Sequence, residues 1–213
     1  NVLATMGLVE KAIAHGVKQF ILSSSGSVYG VKEEPEVTED LSLVPISDYN
    51  KTKMISERVL LSYKDRIVVQ IVRPATVCGL SPRMRLDLSV NMLTIQALAN
   101  GKITVFGGDQ TRPNIHIQDI TDVFIHLLKL KEKAAGIYNA GFENISIMDI
   151  AKMVVEFVPA EIVVTESNDP RSYRLNSNKL LATGFKPRFK VVDAIKEIID
   201  AYKRGELRNE DRW

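Results

Sequence analysis

Of the six tyrosines in the chain, only Tyr49 is followed four residues later by a lysine, Lys53. In a helix, residues i and i+4 share a face, so this spacing sets an ammonium beside a phenol. A phenol of ordinary pKa, about 10, is a poor base at neutral pH, and a neighbouring cation favours its ionised form. Such a tyrosine could exchange a proton with a substrate hydroxyl. Taken alone, the spacing is more often that of an exposed helical pair. A second group of hydroxyls lies upstream, in the corner SSSGSVYG from Ser23 to Gly30. The lone cysteine, Cys78, has no His or acid beside it in sequence and reads as a small buried hydrophobe. His116 reads as a packed, hydrogen-bonded residue on an alternating strand, and His15 and His126 as incidental. No His, Cys or acid cluster has metal-ligand spacing.

The elements that must position these groups follow from periodicity. Val2, Met6, Val9 and Ile13 form one stripe of an opening helix that Gly16 closes. Gln19 to Ser23 has the length of a strand and runs into the serine corner. A stretch holding Glu33, Glu34, Glu36, Glu39 and Asp40 reads as a solvated surface loop. Ser47 or Asp48 caps a helix to about Tyr63, and Ile67 to Val72 (IVVQIV) is the continuous run expected of a strand buried on both faces of a parallel sheet. A long loop leads to Leu86, followed by a helix from Leu88 to Ala99 closed by Asn100-Gly101, a strand at Ile103 to Phe106 and another around Ile115. Asp119 is expected to cap a helix to about Leu130. Ile137 to Ala140 is a strand, Ser146 caps a helix to about Phe157, Ile162 to Thr165 is a strand, and Val191 to Lys203 is the last helix.

This alternation predicts an α/β fold: a partial, Rossmann-like, doubly wound parallel sheet followed after about Ser81 by a smaller mixed α/β lobe. Nothing matches the Gly-rich phosphate turn of a dinucleotide-binding unit, and Gly107-Gly108 lies in the wrong context for one. A chain that opens on a helix, with Asn first, is expected to be the later part of a longer protein. Twenty-eight Lys and Arg against 26 Asp and Glu leave a net charge of +2, too little for a protein that lives on nucleic-acid phosphates. One cysteine cannot form an internal disulfide, which suits a cytoplasmic setting. No apolar run reaches the roughly 20 residues of a membrane span, and the amino terminus lacks the pattern of a signal peptide.

Four linked segments resemble the extended short-chain dehydrogenase/reductase family, and within it the NAD-dependent epimerase/dehydratase branch that acts on nucleotide sugars. They are SSSGSVYG, the YNKTK box from Tyr49 to Lys53, VRPATVCG from Val72 to Gly79, and TRPNIHIQD from Thr111 to Asp119. The opening NVLAT is similar to the family's N-V-x-G-T, with Ala4 where glycine is usual. The likeness covers nearly the whole chain, apart from the missing Gly-rich part. It implies that residues 1–80 are the later part of an NAD(P)-binding domain, with return elements around 115–140, and that 81–213 are mainly a substrate lobe.

The resemblance further implies Tyr49 as catalytic acid/base, Lys53 as the group that lowers its pKa and bonds the nicotinamide ribose, and Ser25 as the hydroxyl on the reacting oxygen. Hydride can leave a secondary alcohol only as its hydroxyl proton is removed, so a base and a donor must converge on one C–OH. Pro74, Ala75 and Val77 are implied cofactor contacts, with Tyr49 and Lys53. Thr76, Asn91, Arg112 and Arg171 join Ser25 as implied substrate contacts, the arginines and Asn91 on the diphosphate. Arg83 and Arg85 rank below them. Ser23, Ser24 and Ser27 read as structural.

Relatives that dehydrate nucleotide sugars carry an Asp-Glu pair where this chain has Gly26-Ser27. Epimerisation through a transient keto sugar, with NAD or alternatively NADP, is therefore the first reading. A keto-reductase or a dehydratase of the same family is the alternative, and a truncated non-catalytic binding or assembly module is the alternative of another class. A nucleotide-diphosphate sugar is the expected partner and a homodimer the expected assembly, with neither nucleic acid nor membrane.

Overall fold

The computed structural model of the chain describes residues 1–167 and 172–207. The chain opens with α1 (Val2–Ala14), β1 (Gln19–Ser23), a 3-10 turn at Gly26–Tyr29, α2 (Asp48–Leu61) and β2 (Val68–Pro74). It continues with β3 (Thr76–Cys78), α3 (Ser89–Asn100), β4 (Lys102–Phe106), β5 (Thr111–His116) and α4 (Ile117–Leu130). The remaining elements are a 3-10 turn at Lys131–Ala134, β6 (Gly136–Ala140), β7 (Glu143–Ser146), α5 (Ile147–Val155), β8 (Glu161–Thr165), α6 (Asn178–Leu181) and α7 (Val191–Lys203).

The IVVQIV run becomes the centre of a parallel sheet of order β1-β2-β6. Successive side chains of a strand face opposite ways, and β2 shows why both of its faces are apolar. Val69 and Ile71 pack with Val9 of α1 and Leu60 of α2, whereas Val72 joins Ile120, Val123 and Leu127 of α4 in the core on the other side. Gln70, the one polar residue of the run, is fully buried on the α4 side and donates to the carbonyls of Leu127 and Lys131, both 3.1 Å. Helices on both faces of a parallel sheet are the doubly wound arrangement.

After Pro74 the chain leaves this sheet. β3 pairs parallel with β5 and β5 antiparallel with β7, while β4 and β8 form a separate parallel pair. A second core fills the lobe that α3, β4, α5 and α7 surround, with Leu93, Ile103, Ile150 and Ile195 at its centre. Among the described residues no helix is long and apolar enough to cross a membrane, and no cluster of three or more His, Cys, Asp or Glu could hold a metal ion.

Most predicted elements fall where periodicity put them, and the differences have local causes. His116, not Asp119, caps α4: its Nδ1 accepts from the Gln118 amide at 3.1 Å. Asp119 lies one turn in, fully buried, where its carboxylate accepts the backbone amides of Arg188 and Phe189 at 3.0 and 3.1 Å. Ser47 rather than Asp48 caps α2. The long loop before Leu86 contains β3, too short to carry a period. The acidic stretch is not wholly solvated: Val37 is fully buried and bridges Leu175, and Glu39 accepts the Asn139 amide at 2.8 Å.

Gly30 ends the serine corner at φ +75°, and a Cβ there would come 2.0 Å from the Val44 carbonyl oxygen. A left-handed conformation and a backbone clash both oppose any side chain. Gly30→Ala is therefore expected to lower stability by roughly 2 to 4 kcal/mol, read as a lower urea midpoint at unchanged slope.

Candidate active site

The carboxyl ends of parallel strands are where open α/β sheets bind ligands, and the chemistry-bearing residues gather at that end here. β1 delivers the serine corner and β2 delivers Pro74, Ala75 and Thr76. The first turn of α2, capped by Ser47, delivers Tyr49. These residues line one side of a cleft of about 940 Å³, whose other side comes from the second lobe.

Tyr49 is 53% exposed at the cleft mouth. Lys53 lies one helical turn on, with its Nζ 5.7 Å from the Tyr49 ring centre, and donates to the Ser23 carbonyl at 2.7 Å. Burial holds the Lys53 ammonium below the usual lysine range. Ser25, half-buried, accepts from the Ser27 amide at 3.2 Å, and its Oγ meets Ser27 Oγ at 2.7 Å. Ser27 donates in turn to Asn50 Oδ1 at 2.6 Å. The corner and the helix are thus joined by side chains, so Ser25 and Tyr49 are held in a common frame although they belong to different elements.

Pro74, Ala75, Thr76 and Val77 lie along the cleft wall. The Ala75 amide donates to the Ala140 carbonyl at 2.8 Å, the last bond of the β2–β6 ladder before the chain passes into β3. An ammonium, a phenol and an apolar ridge could hold a nicotinamide riboside, the first two by a polar grip on the sugar and the last as a dry surface under the ring. Arg112 on β5, and Arg83 and Arg85 of the loop between β3 and α3, reach the same cleft. Arg85 forms an exposed pair with Asp87 at 2.7 Å.

Asn91 is also at the cleft, yet both ends of its amide are engaged within the protein. Its Oδ1 accepts the Gly79 amide at 3.1 Å and its Nδ2 donates to the Arg85 carbonyl at 3.0 Å, with 2% of the residue exposed. Asn91 therefore closes the loop that carries Arg83 and Arg85. Arg171 lies outside the described residues. Sequence reasoning passed over the far wall, where Thr104, Phe106, Gln110, Glu166, Ser167 and Tyr173 line the cleft. It also passed over Ser89 at the start of α3, whose buried Oγ has no hydrogen-bond partner among the described residues. None of these stands in a recognisable spacing, since they come from segments that meet only in the fold.

His116 is packed as expected, stacked on Phe189 at 4.7 Å with its Nε2 3.1 Å from Glu197. Cys78 is 1% exposed, and burial, with the Glu143 and Glu197 charges, pushes its thiol up to about 12. In the unfolded chain the thiol returns to the ordinary range near 9. Between these values unfolding releases a proton that the folded chain keeps, so stability falls as pH rises. The expected slope is about 1.4 kcal/mol per pH unit from near pH 9 upward. It appears as the difference between wild-type and Cys78→Ala urea titrations and is absent below pH 8.

A model of the NAD dependent epimerase/dehydratase family matches residues 1–141. UDP-glucose 4-epimerase of Lactobacillus helveticus is 28% identical over 92% of this chain and 67% of its own. The dTDP-D-glucose 4,6-dehydratase of Homo sapiens is 28% identical over 96% of this chain and 62% of its own. Among solved structures, UDP-glucuronic acid 4-epimerase from Bacillus cereus, in complex with UDP-glucuronic acid and NAD, superposes with a TM-score of 0.84. It is 29% identical, and the match covers 95% of this chain and 67% of that one. The chain spans between about half and two thirds of the length of the curated relatives it matches.

Proposed function

Since this chain belongs to the NAD-dependent epimerase/dehydratase family, we propose that it carries the catalytic and substrate-binding part of a nucleotide-sugar epimerase that works through a transient keto sugar. The observation that carries this reading is the convergence of Ser25 and Tyr49 on one cleft, with Lys53 beside the Tyr49 ring and bonded to the Ser23 carbonyl, and without a carboxylate anywhere in residues 23–30. Elimination of water needs an acid and a base at the neighbouring carbons. Gly26 and Ser27 supply neither, and the Ser27 hydroxyl is occupied by Asn50. Hydride removal and return ask of the protein only a proton acceptor, a neighbouring cation and a hydroxyl to hold the reacting oxygen.

When bound, NAD supplies the hydride acceptor and donor. Tyr49 takes the proton of the sugar hydroxyl and later returns it. Lys53 keeps positive charge beside that oxygen and grips the nicotinamide ribose. Ser25 holds the reacting oxygen in line. Pro74, Ala75 and Val77 exclude water from the reacting carbon, Thr76 faces the sugar, and Arg112 supplies a planar fork for the diphosphate. Arg171 is a second fork by sequence position, and Asn91 contributes by shaping the loop before α3. In this reading residues 1–80 with return elements around 115–140 hold the cofactor, 81–213 hold mainly the nucleotide sugar, and the protein acts in the cytoplasm. NAD relatives in complex with UDP-glucuronic acid support this choice of cofactor and substrate class.

Titration calorimetry with NAD, then with UDP-, GDP-, CDP- and dTDP-sugars, tests the reading on this chain and on the full-length protein. The full-length protein is expected to bind both ligands. Tyr49→Phe is expected to lose about 10²- to 10⁴-fold in turnover with sugar affinity nearly intact. Arg112→Ala is expected to weaken sugar-nucleotide binding about tenfold or more. If neither ligand binds the full-length protein, the catalytic reading fails.

The homodimer proposal draws on α1 and α2, which pack together and leave Leu3, Leu8 and Ile55 exposed at 80%, 61% and 40%. Tyr63 donates to Glu10 at 3.0 Å and Asn1 to Thr52 at 3.2 Å, so the two helices offer one joined surface. Sedimentation at micromolar concentration is expected to give a dimer, and Leu8→Glu a monomer with an unchanged circular dichroism spectrum.

A further inference from the structure

The stripe of α2 that faces the serine corner spends one side chain on each of its steps. Asn50 takes the Ser27 hydroxyl at 2.6 Å, and Lys53 takes the Ser23 carbonyl at 2.7 Å. Glu57 accepts a hydrogen bond from Ser24 Oγ. Spacings of three and four residues align Asn50, Lys53 and Glu57. Glu57 stands apart because it is buried, 2% exposed, and is itself clasped by Arg73, 3% exposed. Arg73 Nη2 donates to Glu57 Oε2 at 2.7 Å and Nε to Oε1 at 3.0 Å. Arg73 directly precedes Pro74 at the cleft, and its Nη1 donates to the Tyr29 hydroxyl at 2.7 Å. Tyr29 donates onward to Asn139 Oδ1 on β6 at 2.8 Å.

We propose that Glu57 is a positioning residue: anchored by Arg73, it sets the spacing between the serine corner that carries Ser25 and the helix face that carries Tyr49 and Lys53. For its kinetic consequence the inference rests on the acid/base reading of Tyr49; for its structural consequence it rests on geometry alone. Stability by itself is a poor reason for this pair. A buried ion pair is often matched or exceeded in stability by apolar residues of similar volume, because desolvation offsets the attraction. An apolar pair cannot fix the direction of the Ser24 hydroxyl, nor hold the corner, α2, the end of β2 and Tyr29 in one directional network. A displacement of about 1 Å between reacting groups can cost on the order of a hundredfold in rate.

The test compares full-length wild type, Glu57→Gln and the apolar double variant Glu57→Met/Arg73→Met. Turnover is measured on the nucleotide sugar that calorimetry selects, and hydrogen exchange is followed at the Ser24 and Val28 amides, which bond to Val72 and Ser25. Glu57→Gln is expected to lose stability, since it strands a buried guanidinium, and the double variant to recover it. In both, kcat is expected to stay about 10- to 100-fold down with KM within about threefold, and exchange at the two amides to quicken while the rest of β2 keeps its protection. Recovery of wild-type kcat together with stability would overturn the proposal. Should wild type turn over no nucleotide sugar, the acid/base reading has failed, and unchanged exchange at both amides in the stable double variant would overturn the positioning role. If the double variant does not fold, Ser24→Ala is judged by the same measures.

Discussion

The ion pair between Glu57 and Arg73 is the interaction on which the site's architecture rests. A buried charge persists only when paired and hydrogen-bonded through its remaining atoms, and here both partners meet that condition. Glu57 receives Nε and Nη2 of Arg73 and the hydroxyl of Ser24, while Arg73 Nη1 reaches the Tyr29 hydroxyl and the Glu39 carbonyl. Burial lowers the guanidinium, but Glu57 and Tyr29 more than offset this, and it stays above its ordinary range. Burial pushes Tyr29 up to about 12, so it remains a neutral donor to Asn139. The pleat of β2 explains the location: Val69 and Ile71 face α1 and α2, so Arg73 faces α2 as well, at the level of Glu57.

From this network the structure extends in two directions. Toward the sheet, Asn139 on β6 ties the acidic segment down, taking Glu39 Oε1 on its amide and donating to the Val37 carbonyl at 3.1 Å. Toward the cleft, the chain passes from Arg73 into Pro74 and Ala75 and crosses to the second lobe through β3. There Gly79, at φ +107°, lies so close to His116 that a Cβ would come 2.9 Å from its Nε2. The loop that follows is closed by Asn91. The cleft is thus bounded by two separately packed cores, joined where the backbone has no room for a side chain.

Regular elements were legible in the sequence because a single local force decides them. IVVQIV is a buried strand whichever partners it finds, Gly101 stops α3 in the left-handed conformation, and the periodicity of Val191 to Lys203 survives unchanged as α7. Where two local signals competed, tertiary contact decided. Asp119 has the residue type of a cap, but a fully buried carboxylate satisfied by two amides of a distant segment is worth more to the fold, and His116 takes the cap. β3, β7 and α6 are too short to show a period, and exist because neighbouring backbone is there to pair or pack with them.

For the site, the sequence by itself determined the chemistry on offer: a phenol with a lysine one helical turn away, a serine corner at the end of a strand, and no acid pair beside it. Those are properties of residue type and short-range spacing, which the helix and strand repeats convert directly into shared faces. Only the tertiary structure decided that Ser25 and Tyr49 open on one cleft, that Asn91 spends its amide on a loop, that Thr104, Phe106 and Tyr173 form the opposite wall, and that Glu57, an unremarked helix residue, meets Arg73 sixteen positions on. Each of these depends on segments far apart in the chain being brought together as two cores bury their apolar faces, and no local period encodes that meeting.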